Sequence, residues 1–269
     1  MGTPPEGFAG FDTSVPNIAR MQDYYLGGTN NFAADRAAAE QVLRLIPSIR
    51  AAAIENRRFL RIAVRYLAGQ AGIAQFIDIG TGLPANGAVH EVARAVSPGV
   101  RVAYVDYDPA VIAHASALLS GGDSAIAVTG DLRQPADVLA DPEIREHLDF
   151  GRPVAVLLLS ILHFIADEYI PGIVAALREA LAPGSYVVIT HVGGYVTRRT
   201  TAEEGDAALR IYATAGQPAF PRAEVEFTRL LDGFELIDPV VMAATAAPDE
   251  LDAASGEGIV GWRLVARKS

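Results

Sequence analysis

The chain of 269 residues has no cysteine, and Lys268 is its only lysine. Without cysteine it cannot form disulfides, thiolate zinc sites or iron–sulfur clusters, and it cannot use a cysteine nucleophile. Because nearly all of the 22 basic residues are arginines and alanine-rich stretches are frequent, the composition is typical of a GC-rich genome. The number of arginines therefore carries no weight as a binding signal.

A signal peptide, a membrane span and an excess of positive charge are also missing. Residues 1–10 have neither the basic nor the apolar segment of a signal peptide. The longest apolar run, 154–166, contains Ser160 and His163 and falls short of the roughly 20 residues of a membrane helix. The formal charge of −10 disfavours binding to nucleic acid or to anionic membranes. We therefore expect a cytoplasmic protein with neither of those partners, and its oligomeric state stays open.

The pattern of apolar residues changes near residue 70. The first part predicts a loose tail and three helices at about 16–27, 33–46 and 48–69. From there on, apolar runs without polar alternation, which are typical of buried parallel strands, alternate with helical patterns. The predicted strands are 74–79, 101–106, 124–131, 153–160 and 185–191, and the predicted helices are 84–96, 109–119, 136–147, 167–181, 202–212 and 222–231.

Two further apolar segments, 234–244 and 259–268, have no helix between them and should pair as antiparallel strands. The prediction is an α/β fold with a doubly wound, mostly parallel sheet of seven strands, Rossmann-like, ending in an antiparallel hairpin. Residues 1–70 would form an N-terminal tail and helical cap, and residues 71–269 one compact domain.

A glycine turn follows the first predicted strand. Gly80, Thr81 and Gly82 lie where that strand ends, and Gly80 is two residues after Asp78. Glycine lets the backbone turn sharply and approach a ligand at the carboxyl edge of the sheet, where open α/β folds bind ligands. We therefore expect a cofactor at this turn.

Acidic residues end three successive strands. Asp78 ends the first, Asp106 the second, followed by Tyr107, and Asp131 the third, followed by Leu132. An acid after the second strand can accept hydrogen bonds from both ribose hydroxyls of a nucleoside, and one after the third could accept from the exocyclic amine of adenine. The three acids and their neighbours are thus candidate cofactor-binding residues.

The identity of the nucleoside follows from Asp78. The spacing of Gly80, Gly82 and Ala85 also fits a dinucleotide fingerprint, which would indicate a NAD-dependent oxidoreductase. A carboxylate at Asp78 would repel a diphosphate by several kcal/mol in a dry site, whereas it attracts ammonium and sulfonium groups. S-adenosyl-L-methionine carries both cations and is therefore the favoured cofactor.

These residues also carry a family resemblance. Asp78, the glycine turn, Asp106 and Asp131 resemble the class I methyltransferase pattern, and the chain is similar to a bacterial family of S-adenosylmethionine-dependent methyltransferases, formerly a domain of unknown function. The similar stretches are 16–36, 55–68, 75–84, 102–115 and 152–167. The resemblance implies a methyltransferase of Rossmann-like fold that uses S-adenosyl-L-methionine, and it names no substrate.

His163 is the candidate catalytic residue. It follows the fourth strand, which ends at Ser160, a further cofactor-binding candidate. In small-molecule O-methyltransferases a histidine in a similar place acts as general base, although residues 164–165 depart from their usual polar-aromatic pair. Shaping the substrate site and simple packing remain alternatives for His163, and His191 is a weaker second candidate. No spacing of histidines and acids predicts a metal site.

The predicted cap needs a role. The resemblance implies that it folds over the methionine end of the cofactor, so that Tyr24 would lie at the site and Arg20, Arg57 or Arg58 would bind the carboxylate. A plain turn between packed helices is the alternative for residues 24–32. The acceptor is expected to be a small molecule, and a non-catalytic S-adenosylmethionine-binding sensor is the alternative function.

Overall fold

The computed structural model describes residues 12–84, 87–119, 122, 124–192, 201–238 and 261–269. Within them, seven strands form a single sheet in the order β3-β2-β1-β4-β5-β7-β6. The strands are β1 (Gln75–Ile79), β2 (Arg101–Asp106), β3 (Ala125–Thr129), β4 (Ala155–Leu159), β5 (Tyr186–Val192), β6 (Phe234–Ile237) and β7 (Gly261–Lys268). Strands β1 to β5 are parallel, and β7 runs antiparallel to both β5 and β6. The predicted doubly wound sheet with its terminal antiparallel pair is confirmed.

The helices connect the strands in the alternating order expected of this architecture. They are α1 (Ile18–Tyr25), α2 (Ala33–Leu45), α3 (Ile49–Gly69), α4 (Val89–Val96), α5 (Pro109–Leu119), α6 (Pro135–Ala140), α7 (Pro142–His147), α8 (Ile170–Ala180), α9 (Ala202–Thr214) and α10 (Glu224–Thr228). Short 3-10 turns at Leu162–Phe164 and Asp167–Tyr169 join β4 to α8. No helix among the described residues has both the length and the apolar character of a membrane span.

The sheet lies between two hydrophobic cores. Side chains alternate across a strand, so Ile77 enters the core formed with α6, α7, α8 and α10, whereas Phe76 enters the core formed with α3 and α4. In β4, Leu158 packs in the first of these cores and Leu157 in the second. Both faces of the central strands are thus buried, which explains their apolar sequences without polar alternation.

The three N-terminal helices cover the carboxyl edge of the sheet. Met21 and Tyr25 of α1, Val42 of α2, Ala53 of α3 and Ala208 of α9 share a third hydrophobic cluster. The later part of α3, by contrast, packs in the same core as β1 and β4. A helical cap over the site is therefore present, while the domain boundary near residue 70 stays a prediction.

Several predicted element bounds differ from the structure for local reasons. The helix predicted at 136–147 is two helices, because the Asp141 side chain accepts from the N–H groups of Glu143 and Ile144 and starts a new helix there. Helix α1 starts later than predicted, since Asn17 is its N-cap and accepts from the Arg20 N–H. The predicted residues 239–244 and 259–260 of the last two strands lie outside the described residues.

Gly80 gives the first test of the fold. Its φ is +74°, and an added Cβ would lie 2.5 Å from Ile161 Cγ1. We expect Gly80→Ala to lower the free energy of unfolding in urea by roughly 1–3 kcal/mol or more, since a strained backbone and a steric clash add together.

The matched control is Gly172→Ala in α8, where an added Cβ meets open space and alanine should stabilise the helix by about 0.5–1 kcal/mol. Equal effects of the two substitutions would contradict the packing of Ile161 against the glycine turn.

Candidate functional site

A large cavity lies at the carboxyl ends of β1, β2 and β4. Its floor includes Asp78, the glycine turn 80–82, Asp106, Ser160 and His163. Its roof comes from α1, the first half of α3, α9 and the segment 217–221. The cavity is thus formed where the sheet edge predicted to bind a cofactor meets the helical cap.

Backbone amides hold the carboxylate of Asp106 in place. Its Oδ2 accepts from the Gly82 N–H at 2.9 Å, and its Oδ1 accepts from the Asp108 N–H at 3.0 Å. The Gly80 N–H donates to the carbonyl of Val105 at 2.8 Å, which ties the glycine turn to β2. Although burial raises the pKa of Asp106, these amides oppose that shift. Each carboxylate oxygen also keeps a lone pair for a ligand.

Asp78 is more deeply buried than Asp106, and its carboxylate accepts fewer hydrogen bonds. Thr81 Oγ1 donates to its Oδ2 at 3.2 Å, and the charge of Arg57 stabilises its ionised form. Burial nevertheless outweighs both effects and raises the pKa of Asp78 to about 6. A bound cation would therefore stabilise the ionised form of Asp78, which burial disfavours.

Asp131 and Leu132 line a smaller pocket that adjoins the main cavity. The two pockets share Gly80 and Tyr107. Asp131 receives a forked hydrogen bond from Arg133, with the closest nitrogen–oxygen distance 2.6 Å, and this guanidinium lowers the pKa of Asp131. Asp131 is thus at the predicted edge, but it already has a cationic partner.

Arg20 and Tyr24, predicted at the site, are engaged elsewhere. Arg20 Nε donates to Asp35 Oδ2 at 2.8 Å, and another guanidinium nitrogen donates to the Val15 carbonyl at 2.6 Å. The Tyr24 hydroxyl donates to Glu40. Both side chains stabilise the cap from within, because the helix turn that carries them directs them away from the cavity. Their predicted contact with the cofactor is not supported by this geometry.

Two other cap residues, one of them the predicted Arg57, line the cavity. Tyr25, next to Tyr24, lines the cavity, and so does Arg57, which is half-buried and weakly bonded to the Leu83 carbonyl at 3.4 Å. Arg58 instead pairs with Glu55 at 3.0 Å. Of the predicted arginines, Arg57 alone lies at the site.

Two side-chain contacts between residues that line the cavity were not predicted from the sequence. Asn17 Nδ2 donates to Asp108 Oδ2 at 2.7 Å, and Gln217 donates to the hydroxyl of Tyr107. They tie the cap and the segment after α9 to the turn that follows β2. Asn17 could have been found as the N-cap of α1, whereas Gln217 has no local sequence signal.

Ser160 adopts a conformation that is rare for a residue with a side chain. Its φ is +58°, and its N–H donates to Thr190, whose Oγ1 lies 2.9 Å away. Thr190 Oγ1 in turn donates to Asn56 Oδ1 of the roof at 2.7 Å. Such strained residues cluster at functional sites, and here the sharp turn places the segment 161–164 over the glycine turn.

His163 lies on that segment and is one of the residues that line the cavity. It is 7% exposed, and its Nδ1 is buried without a hydrogen bond among the described residues. Burial, reinforced by the nearby His191 and Arg222, lowers the pKa of His163 well below its ordinary value. The imidazole that lines the cavity is therefore neutral near pH 7.

Arg222 fixes the position of the His163 segment. Its guanidinium donates to the carbonyls of Leu162 at 2.8 Å and Ile165 at 2.5 Å, and to the carboxylate of Asp167 at 2.6 Å. Its own carbonyl accepts from Trp262 Nε1 at 2.8 Å. A single buried arginine thus fastens the chain that carries His163 to β7.

His191, the second candidate base, packs among the residues that hold the His163 segment in place. Its ring stacks on Trp262 with centroids 4.9 Å apart, and its Nδ1 contacts the Val192 carbonyl at 2.5 Å. Burial lowers the pKa of His191 to about 4. Its centroid is 5.4 Å from that of His163, so it packs behind His163 and shapes its surroundings.

The residues of the cavity fit a cationic nucleoside better than a diphosphate. Asp78, Asp106 and Asp108 line it, and Arg57 is the one cation among its described lining residues. A diphosphate would meet three carboxylates there and be repelled. Across the described ranges, no three histidine, aspartate or glutamate side chains gather as a metal ion would require.

Comparison with known proteins is consistent with this geometry. A family profile described as S-adenosyl methyltransferase matches residues 6–269. A protein from Thermobifida fusca YX, provisionally described as a methyltransferase, shares 37% identity over 100% of both chains with a TM-score of 0.83. A DUF574 family protein from Streptomyces avermitilis MA-4680 shares 33% identity over 96% of this chain and 99% of its own, with a TM-score of 0.82. No curated protein matches the chain.

Arg222→Ala tests the support of the His163 segment. We expect a loss of roughly 2–4 kcal/mol in the free energy of unfolding, because two buried carbonyls lose their donor. The matched control is Arg229→Ala, whose side chain is exposed and whose loss should change stability by less than about 0.5 kcal/mol. Similar stabilities of the two variants in urea would contradict the role of Arg222.

Proposed function

Since the chain belongs to the S-adenosyl methyltransferase family and is an S-adenosylmethionine-dependent methyltransferase of class I fold, we propose that it methylates a small molecule bound beside His163. The observation that carries this proposal is the neutral imidazole of His163, which lines the same cavity as Asp78, the glycine turn and Asp106. A hydroxyl of the acceptor would hydrogen-bond to this imidazole.

The carboxylates and the glycine turn would hold the cofactor. Asp78 would attract the ammonium group of its methionine part, and Arg57, which lines the same end of the cavity, would bind its carboxylate. Asp106, held by two backbone amides, would accept from the ribose hydroxyls. Asp131 would contact adenine only after its hydrogen bond with Arg133 loosens or rearranges. These assignments follow from charge and position.

Catalysis would depend on position and on the removal of one proton. When bound, S-adenosylmethionine supplies a methyl group that its sulfonium charge already activates. The chain's part is to align the acceptor, exclude water and accept the proton that the acceptor hydroxyl loses. His163, neutral and fixed through Arg222, lines the cavity and would accept that proton on its imidazole.

The low pKa of His163 suits this role. A hydroxyl oxygen becomes far more acidic as it forms its bond to the methyl carbon, so even a weak base can take the proton at that moment. Because the imidazole is already deprotonated near neutrality, no activity is lost to a protonated form. General-base catalysis of this kind contributes roughly 10²- to 10⁴-fold in rate.

The helices that cover the cavity support a small acceptor. Helices α1, α3 and α9 line it, and the contacts of Asn17 with Asp108 and of Gln217 with Tyr107 join lining residues from different segments. A polymer would need an open groove, and the acidic net charge disfavours nucleic acid. The family match also favours a transferase over the alternatives of a NAD-dependent oxidoreductase and a non-catalytic sensor.

His163→Asn tests the proposal. S-adenosylhomocysteine formed from S-adenosylmethionine is measured with a panel of small phenols, amines and carboxylic acids. We expect at least one acceptor to be methylated, and the variant to lose roughly 10²- to 10⁴-fold in rate while it binds S-adenosylmethionine as the wild type does. At saturating S-adenosylmethionine the wild-type rate should not fall between pH 8 and pH 6, because the pKa of His163 lies well below its ordinary value.

The control is His114→Asn. His114 is not among the described residues that line the cavity, so this variant should retain the wild-type rate. If the protein binds S-adenosylmethionine yet methylates none of the panel, the small-molecule acceptor is wrong. If His163→Asn keeps full activity, the general-base role is wrong.

A further inference from the structure

The two ends of the cavity differ in charge. Its charged lining residues, Arg57, Asp78, Asp106 and Asp108, belong to the end formed by the glycine turn and the turn after β2. Toward α9, the described lining residues include Ile46, Ile49, Leu209 and Tyr212 and no charged side chain. The part left for the acceptor, once the cofactor occupies the charged end, is therefore apolar.

Aromatic side chains form a continuous wall along this apolar end. The ring centroids of His163 and Phe164 are 4.3 Å apart, and those of Phe164 and Tyr212 are 5.9 Å apart at an interplanar angle of 63°. The hydroxyl of Tyr212 lies 3.4 Å from that of Tyr25. Such a wall packs well against the face or edge of a planar ring.

The polar atoms of this wall are all uncharged near pH 7. Burial raises the pKa of Tyr25 and raises that of Tyr212 to about 12, so both stay protonated. His163 is neutral for the opposite reason, since its pKa is lowered. Neither a carboxylate nor an ammonium group of an acceptor would find an opposite charge there. Burying such a charge without a partner is strongly unfavourable.

We infer that the acceptor is an uncharged planar aromatic alcohol, a phenol, whose ring packs against Phe164 and Tyr212 and whose hydroxyl reaches the imidazole of His163. This inference rests on the proposed function of His163 and adds the chemical class of the substrate. The phenolic oxygen forms a bond to the methyl carbon while the carbon–sulfur bond breaks. The bonding pair of that bond goes to sulfur, which leaves S-adenosylhomocysteine, and the phenolic proton passes to His163.

Three naphthalenes of one ring size and different charge test this inference. 2-Naphthol is uncharged at pH 7, 2-naphthoate is an anion and 2-naphthylmethylammonium is a cation. Each is titrated by calorimetry into the full-length protein already saturated with S-adenosylhomocysteine. We expect 2-naphthol to bind about tenfold or more tightly than either ion, because only the ions must be desolvated without a partner.

A charge placed in the apolar end should change this order. In Leu209→Arg the guanidinium enters the cavity lining, so the preference for 2-naphthol over 2-naphthoate should shrink or reverse. The matched control is Val225→Arg on α10, where the side chain is 51% exposed and the wild-type order should persist.

The outcomes separate this inference from the proposed function. If S-adenosylhomocysteine binds and the two ions bind as tightly as 2-naphthol, the substrate class is wrong while the methyltransferase site stands. If S-adenosylhomocysteine itself does not bind, both the substrate class and the proposed function are wrong. A preference for 2-naphthol that Leu209→Arg abolishes and Val225→Arg preserves supports the inference.

Discussion

The organisation of this protein depends on two buried carboxylates, Asp78 and Asp106, at the carboxyl edge of a parallel sheet. Their charges repel each other, and burial raises the pKa of both. Two backbone amides and the charge of Arg57 offset part of the cost. A cavity with more negative than positive side chains is incomplete without a cation, and S-adenosylmethionine brings an ammonium and a sulfonium group to it.

The rest of the structure positions and covers this edge. Gly80 lets Ile161 pack directly on the turn, and the strained Ser160 directs the chain there. Arg222 then holds the following residues, so that His163 is fixed from behind. The cap uses its own buried ion pair, Arg20 with Asp35, to keep its helices together above the cavity.

The sequence predicted the sheet and the floor of the site well, because both follow from local rules. Parallel strands end at one edge, so acids such as Asp78 and Asp106 at strand ends had to meet. The roof was predicted less well. Whether Tyr24 or Tyr25 faces the cavity depends on the rotation of a short helix. The role of Arg222 depends on carbonyls some 60 residues away in the chain, which no local pattern reveals.

The binding of S-adenosylmethionine at pH 6, measured by calorimetry in buffers of different ionisation enthalpy, tests the central claim most directly. Because the pKa of Asp78 is raised to about 6, the free protein carries a proton there about half of the time, and a cationic ligand favours the ionised form. Wild type should therefore release up to about half a proton on binding, and Asp78→Asn should release much less. Tight binding with no proton release by wild type would contradict the account.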